Sequence, residues 1–434
     1  MMREMSTKEN IAIGLMMFAL FLGAGNLIFP PAMGQAAGVN VWMATVGFLT
    51  TGVGLPVLAV IAIARTGGDL QTLASKVNPL FAVAFTLTVY LAIGPFFGIP
   101  RTSTVAYEIG VVPFLSEGLL DSGLTLFIYT VIFFGITYML ALNPAKLVGR
   151  IGKVLTPILL ILIAIFAVKG FLTPMGEIPH ALDAYQSAPL FKGFLEGYLT
   201  MDTIAALVFG IVVISRITEQ GITEKKAIAV ATIKAGLIAG LGLSIVYLVL
   251  AYLGASSVAS IGYLDNGGAI LSGVASALFG STGAIILGLV ITFACLTTSI
   301  GLVSACGEYF VKLMPSLSYR VVIAILCLFS LTMANMGLSQ LIAFSLPILI
   351  AIYPIAMVLI LLSFIDKIIH SNVYIGAIIG AAIVSIVDGL AIASIEITFL
   401  HDLYGYIPLY SEGVGWLVPA VIGGIIGYFI GEKK

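Results

Sequence analysis

Residues Leu20 to Pro30 read Leu-Phe-Leu-Gly-Ala-Gly-Asn-Leu-Ile-Phe-Pro, setting the run Gly23-Ala24-Gly25-Asn26 inside a stretch otherwise apolar enough to span a bilayer. In hydrocarbon no water satisfies a freed N–H or C=O, so unwound backbone is tolerated only where protein buries it or where it lines a cavity. An interruption at this point therefore predicts a site.

Working outward, 60% of the 434 residues are hydrophobic and 9% charged, a composition that places the chain among polytopic membrane proteins. The 19 basic and 20 acidic residues nearly cancel, which gives no basic surface for nucleic acid. Cys295, Cys306 and Cys327 all sit in apolar surroundings and read as small buried hydrophobes, without a disulfide framework. Met1 to Asn10 runs into an apolar segment with no small-residue cleavage site, so it leads into a first span rather than a removed signal peptide.

Stretches of about 20 apolar residues fall near 11–33, 41–64, 79–100, 123–143, 147–169, 191–216, 225–254, 281–310, 319–336, 338–363, 373–396 and 414–431, about twelve in all. They are too long and too uniformly apolar for the alternating strands of a barrel. With a cytoplasmic N-terminus, the inside loops and ends collect Arg3, Lys8, Arg65, Lys76, Lys146, Arg150, Lys153, Arg216, Lys225, Lys226, Lys234, Lys312, Arg320, Lys367, Lys433 and Lys434. Only Arg101, Lys169 and Lys192 fall outside. The bias of Lys and Arg toward the inside thus supports both termini in the cytoplasm.

One membrane domain, 1–434, follows, because no connection is long enough for a separate soluble unit. A second interruption, Glu196-Gly197-Tyr198-Leu199-Thr200-Met201-Asp202, falls in the sixth span. Paired interruptions five spans apart point to an inverted repeat with its site near the membrane midplane. The halves are 11–169 and 191–363, with two further helices in 373–431.

A helix resuming after a break offers free N–H groups and a positive dipole end, which suits an anion. Gly23 and Gly25 permit close backbone approach, so Ala24 and Gly25 can present N–H groups to a carboxylate, and Asn26 adds a side-chain oxygen. The alternative is that these glycines only let helices pack closely. Asp202 is the strongest of the few ionisable groups at membrane depth; it can hold an ammonium, hold a cation or organise the unwound backbone. Asp388 reads as a packing or interface residue, Glu308 lies near the cytoplasmic end of its span, and Arg101 and Glu108 flank the outer end of the third span, either as a gate or interfacial pair or as ligands. Phe96, Phe97, Tyr198 and Phe209 lie near the breaks and can wall an apolar side-chain pocket. In the eighth span, Ala294-Cys295-Leu296-Thr297-Thr298-Ser299 offers consecutive hydroxyls that suit a hard cation, or that bond back to their own helix.

Three stretches carry a family resemblance: Asn10 to Met33, Ile93-Gly94-Pro95-Phe96-Phe97-Gly98-Ile99-Pro100-Arg101-Thr102, and Gly197 to Asp202. Over essentially the whole chain the sequence resembles the branched-chain amino acid cation symporters of the BrnQ type. The resemblance implies Na⁺-coupled uptake of leucine, isoleucine and valine across a bacterial cytoplasmic membrane. More distantly the chain is similar to LeuT-type transporters, in which the first helix reads Gly-x-Gly-Asn followed by Phe-Pro and the eighth Ala-Gly-Leu-Thr-Ser-Ser. That likeness implies an all-α fold of a 5+5 inverted repeat with helices 1 and 6 broken. It also implies a sodium site of the Ala19, Leu22 and Ala294 carbonyls with the Thr297 and Thr298 hydroxyls. The substrate site it implies takes Gly23, Ala24, Gly25, Asn26, Phe96, Tyr198, Thr200, Met201 and Asp202. Two departures stand out: one residue fewer lies between Asn26 and Phe29, and Asp202 stands where the relative carries a small hydroxyl residue. They leave a second sodium site at Asn26 and Thr200 unassigned.

The expectation is a secondary active transporter, not an enzyme, with Na⁺ as coupling ion, no organic cofactor, and membrane lipid as its surroundings. The rivals are proton coupling through Asp202, another apolar or aromatic amino acid as substrate, and a channel. A channel lacks a repeated carbonyl filter or charged ring here. His180, His370 and His401 all lie near span ends, which leaves histidine-based catalysis without a centre.

Overall fold

The computed structural model describes residues 5–121, 123–142 and 144–430, without the side chains of 117, 121 and 144–156. Of the basic residues assigned to the inside, Arg3, Lys433 and Lys434 and the side chains of Lys146, Arg150 and Lys153 lie outside the described set. Among the described residues there is no strand. Among the described residues, seven helices are long and apolar enough to cross a membrane, or eight when the bent pair Pro189–Thr200 and Asp202–Glu219 is taken as one, and Pro157–Leu172, Tyr319–Ala334 and Leu417–Ile430 are shorter apolar helices. This is a multi-span, all-helical membrane protein.

The chain opens with α1 (Thr7–Phe21), started by a capping box in which Ser6 and Glu9 satisfy each other's backbone N–H groups. Helix α2 (Ala24–Ala37) follows after only Leu22 and Gly23, and Gly23 is extended at φ −101° and ψ −169°. Helices α3 (Val41–Leu49) and α4 (Leu55–Thr66) join through a wide turn at Thr50–Gly54. Helices α5 (Pro79–Leu91) and α6 (Gly98–Gly110) join through another at Ala92–Phe96. Gly94 there is non-helical at ψ −122°, and Pro95 has no N–H to continue the ladder. The sequence alone ends this span near residue 100, but the helix resumes and carries Arg101 inward.

Next come α7 (Leu124–Ala141), α8 (Pro144–Leu172) and α9 (Pro189–Glu196), the last continuing as a tight turn over Gly197–Thr200. Met201 then adopts a left-handed conformation (φ 64°) before α10 (Asp202–Glu219), and the two arms bend by 46°. A non-glycine residue in that region costs about 1–2 kcal/mol, so packing on both sides must hold it. Helix α11 (Lys225–Ile261) runs unbroken, whereas α12 (Gly267–Leu313) turns at Gly280 (φ 66°). The chain closes with α13 (Tyr319–Ala334), α14 (Leu338–Ser363), α15 (Ser371–Ile392) and α16 (Leu417–Ile430).

Residues 22–23, 92–97 and 197–201 all lie on the inside of the bundle, and the sides of α7 and α16 turned away from it carry exposed Ile132, Met139, Ile426 and Phe429. Helices are drawn together by small residues where hydrocarbon offers no hydrophobic drive. Between α3 and α9 the contact is reciprocal: a Cβ on Gly47 would sit 1.9 Å from the Leu190 carbonyl oxygen, and one on Gly193 would sit 1.9 Å from that of Ala44. That pair presses α9, and hence the bend at Met201, against the α3–α4 turn. Gly193→Ala is expected to lower the thermal midpoint in detergent by the equivalent of about 1–3 kcal/mol of overpacking. Gly135→Ala in α7, where nothing lies within 4 Å, leaves it unchanged; equal midpoints for both variants would contradict this contact.

Candidate functional site

The two interruptions meet face to face. A Cβ on Gly25 would approach Thr200 to 3.1 Å at its carbonyl oxygen and 3.2 Å at its Cα, so a larger residue would push the start of α2 a few tenths of an ångström away from the end of the α9 turn. Between them is a small cavity of about 40 Å³ lined by Gly23, Ala24, Gly25 and Asn26 from one break and Thr200, Met201 and Asp202 from the other. Phe21, Ile93, Ala205, Phe209 and Leu302 give it apolar walls, and Arg101, Thr102 and Thr298 add polar ones.

Asn26 ties the two breaks together. Its side-chain oxygen accepts from the Gly23 N–H at 3.0 Å, capping the unwound turn. Its amide nitrogen donates to Asp202 Oδ2 and to the Tyr247 hydroxyl. Tyr247, from α11, donates to the same Oδ2 at 3.0 Å and is held edge-on to Phe48 with ring centres 5.2 Å apart. Asp202 is 3% exposed and Asn26 1%, so these hydrogen bonds act away from bulk water, where each is stronger than at a surface. Losing one donor from such a carboxylate costs about 1.5–3 kcal/mol. The break itself is braced by Thr200, whose hydroxyl donates to the Gly197 carbonyl at 2.9 Å and accepts from the Asp202 N–H at 3.3 Å. Thr51, at the α3–α4 turn, donates to the Phe194 carbonyl at 2.6 Å.

Arg101 closes the third side. It donates from Nη1 to the Leu199 carbonyl at 2.5 Å and from Nη2 to Ser345 Oγ at 3.0 Å, with Cζ 5.2 Å from the centre of the Phe29 ring. It is 2% exposed and lines the cavity. Glu108 does not pair with it; its carboxylate accepts from Asn266 Nδ2 at 3.1 Å.

Of the substrate residues read from sequence, Gly23, Ala24, Gly25, Asn26, Thr200, Met201 and Asp202 are brought together, and Phe209 joins them. Phe96 and Tyr198 are not. Phe96 faces a separate apolar cavity and packs on Phe329 at 4.9 Å, and Tyr198 stacks on Tyr353 at 4.5 Å behind the break. Of the cation set, Thr298 lines the cavity and donates to the Ala294 carbonyl at 3.1 Å, whereas Thr297 points away and donates to Phe293 at 2.9 Å. Ala19 and Leu22 flank the cavity through their neighbours Leu20, Phe21 and Gly23. Sequence reasoning missed Tyr247 and the inward place of Arg101. The Gly94-Pro95 pair was the available signal for Arg101; Tyr247 sits in an unbroken apolar helix and had none.

A space of this size holds a few waters, not an aliphatic side chain, so a substrate enters only as the walls part. The arrangement offers hydrogen bonding at two helix ends, one buried carboxylate and one buried guanidinium, and no grouping of metal-ligating side chains among the described residues. It suits binding a small molecule with both charges.

The same fold occurs in Mhp1, a nucleobase-cation-symport-1 family transporter solved with bromovinylhydantoin bound (TM-score 0.63, 14% identity, 96% of this chain and 91% of that one). It also occurs in MhsT in complex with L-phenylalanine (TM-score 0.57, 15% identity, 99% and 98%). Among sequence relatives, the branched-chain amino acid permease BraB of Bacillus subtilis is 54% identical over all of this chain and 99% of its own. The branched-chain amino acid transport system 2 carrier protein of Pseudomonas aeruginosa is 48% identical over 95% and 93%. Residues 6–434 match the family described as branched-chain amino acid transport protein, and with relatives this similar over their full lengths the chain belongs to that family.

Proposed function

We propose that this chain carries leucine, isoleucine and valine into the cell by alternating access, driven by symport of Na⁺. The observation that carries the reading is the meeting of the two interruptions at Gly25 and Thr200, bridged by Asn26 and Asp202, around one small cavity. Read with the shorter apolar helices, the elements form twelve spans. The first is α1 with α2 and the sixth is α9 with α10, both broken; the repeats are 11–169 and 191–363, with 373–431 appended. The distribution of Lys and Arg supports both termini in the cytoplasm, and the bacterial relatives support the cytoplasmic membrane as the location.

In this reading the α-carboxylate of the substrate meets the free N–H groups of Ala24 and Gly25 at the start of α2, and Asp202 takes the α-ammonium. The side chain lies among Phe21, Ile93, Ala205, Phe209 and Leu302. Such a pocket separates substrates differing by one methylene by only about 1–3 kcal/mol, so the three branched-chain amino acids compete. Na⁺ is taken by the carbonyls of Ala19, Leu22 and Ala294 with the hydroxyl of Thr298; Thr297, whose hydroxyl is turned to the Phe293 carbonyl in this structure, joins them only once α12 moves. Thr298 lies on the cavity wall and its methyl carbon faces Gly23, at 3.5 Å from where a Cβ would stand. An ion there draws α12 toward the end of α1 and favours the state competent for substrate, which is coupling by differential affinity.

Proteoliposomes tested with Na⁺ and H⁺ gradients imposed separately decide the driving ion. Leucine accumulation under a Na⁺ gradient alone is expected, and accumulation only under a H⁺ gradient would replace this reading with proton coupling. Thr298→Ala is expected to raise the Na⁺ concentration for half-maximal uptake about tenfold or more, as loss of one ligand oxygen, with a smaller effect for Thr297→Ala. An unchanged Na⁺ dependence in the double variant would remove this site. Asp202→Asn is expected to raise the KM for leucine by about one to two orders of magnitude while the protein remains monodisperse in detergent; an unchanged KM would show that the carboxylate serves only the bend.

A further inference from the structure

Arg101 and Asp202 are opposite charges on the wall of one cavity, and they are not paired with each other. The ion pairs among the described residues are Lys76–Asp366, Lys192–Glu196 and Arg216–Glu219. The guanidinium reaches two neutral acceptors, Leu199 and Ser345, while its Nε–H is buried with no hydrogen-bond partner among the described residues. On Asp202 both donors, Asn26 and Tyr247, converge on Oδ2. Burying a full positive charge is compensated only in part by neutral oxygens and a ring face. A buried arginine in this state has one natural complement, an anion that visits.

We infer that Arg101 is the cationic anchor for the α-carboxylate of the transported amino acid, facing Asp202 across the cavity so that a zwitterion is gripped by both ends. The assignment rests on the transport reading above and adds to it a side chain on a third element, α6. The break at Gly94-Pro95 redirects the chain so that Arg101, in the first turn of α6, reaches the end of α9 and the ring of Phe29 on α2. The free N–H groups at the start of α2 supply partial charge; Arg101 supplies a whole one. Because it also holds the Leu199 carbonyl, the group that recognises substrate is bonded to the interruption next to Met201.

The test is competition against labelled leucine in proteoliposomes holding the full-length wild type, Arg101→Lys or Arg101→Gln. The competitors are leucine, leucinamide, which lacks the carboxylate, and 4-methylpentanoate, which lacks the ammonium. In the wild type each analogue competes on the order of 10–100-fold less well than leucine, the loss of one charge-assisted contact. In Arg101→Gln leucine weakens by a similar factor and leucinamide does not, so their ratio falls toward one; Arg101→Lys, with charge but no fork, lies between. If Arg101 merely props the Leu199 carbonyl, both ligands weaken together and the ratio keeps its wild-type value in both variants, which overturns the assignment. Leucinamide matching leucine in the wild type would overturn it too. Should Arg101→Gln fail to fold, the ratio in Arg101→Lys decides. If the wild type accumulates no leucine, the transport reading fails separately, and thermal shifts of the purified protein by amino acids against their amides still decide the role of Arg101.

Discussion

A peptide group left without a partner in a dry interior costs several kcal/mol, and the centre of this protein is organised around a handful of them. Two places where the chain gives up regular helix, 22–23 and 197–201, are set against each other, with glycine at the contact so that backbone meets backbone. Side chains then supply what the helices no longer do. Asn26 caps Gly23, Thr200 spans its own turn, and Arg101 takes the Leu199 carbonyl. The polar groups are thus local repairs to backbone, and in the proposed function they are also the surface that meets the substrate.

These repairs draw on elements far apart in sequence, so the site is a junction of the bundle. Asp202 gathers Asn26 from α2 and Tyr247 from α11, and Arg101 gathers the α9 turn and Ser345 from α14. The second interrupted segment carries a conformation that isolated chain would avoid, Met201 in the left-handed region, and it persists because its neighbours press it from outside. The glycine contacts between α3 and α9 are one such neighbour. A cavity of about 40 Å³ is too small for an aliphatic side chain. Arms that meet at irregular turns can rock apart without breaking long runs of helical hydrogen bonds, which is what admission of a ligand to a midplane site requires.

Much of this was legible before any coordinates. Gly-Ala-Gly-Asn in an apolar run, and Gly197 to Asp202 in another, mark where the helices end and restart, because polar or flexible residues there have no cheaper explanation in hydrocarbon. A third interruption has no such reading: a span drawn from 79 to 100 passes over Gly94-Pro95, where the helix bends and then resumes through Arg101. Facing was the other blind spot. Neighbouring residues on a helix point about 100° apart, so Thr298 lines the cavity while Thr297 turns away, and nearness in sequence to a break did not bring Tyr198 or Phe96 into it. Tyr247 shows the limit of local pattern, since its partners are 45 and 221 residues away in sequence.

The central claim is that two irregular backbone segments, bridged by Asn26 and Asp202, enclose the place where a substrate binds. An electron cryo-microscopy structure of the full chain in lipid with leucine and Na⁺ tests it most directly. The account predicts substrate density between Gly25 and Asp202, with regular α-helix still interrupted at 22–23 and 197–201 and the cavity enlarged. Regular helix through both segments, or leucine bound elsewhere with this cavity closed, would contradict it.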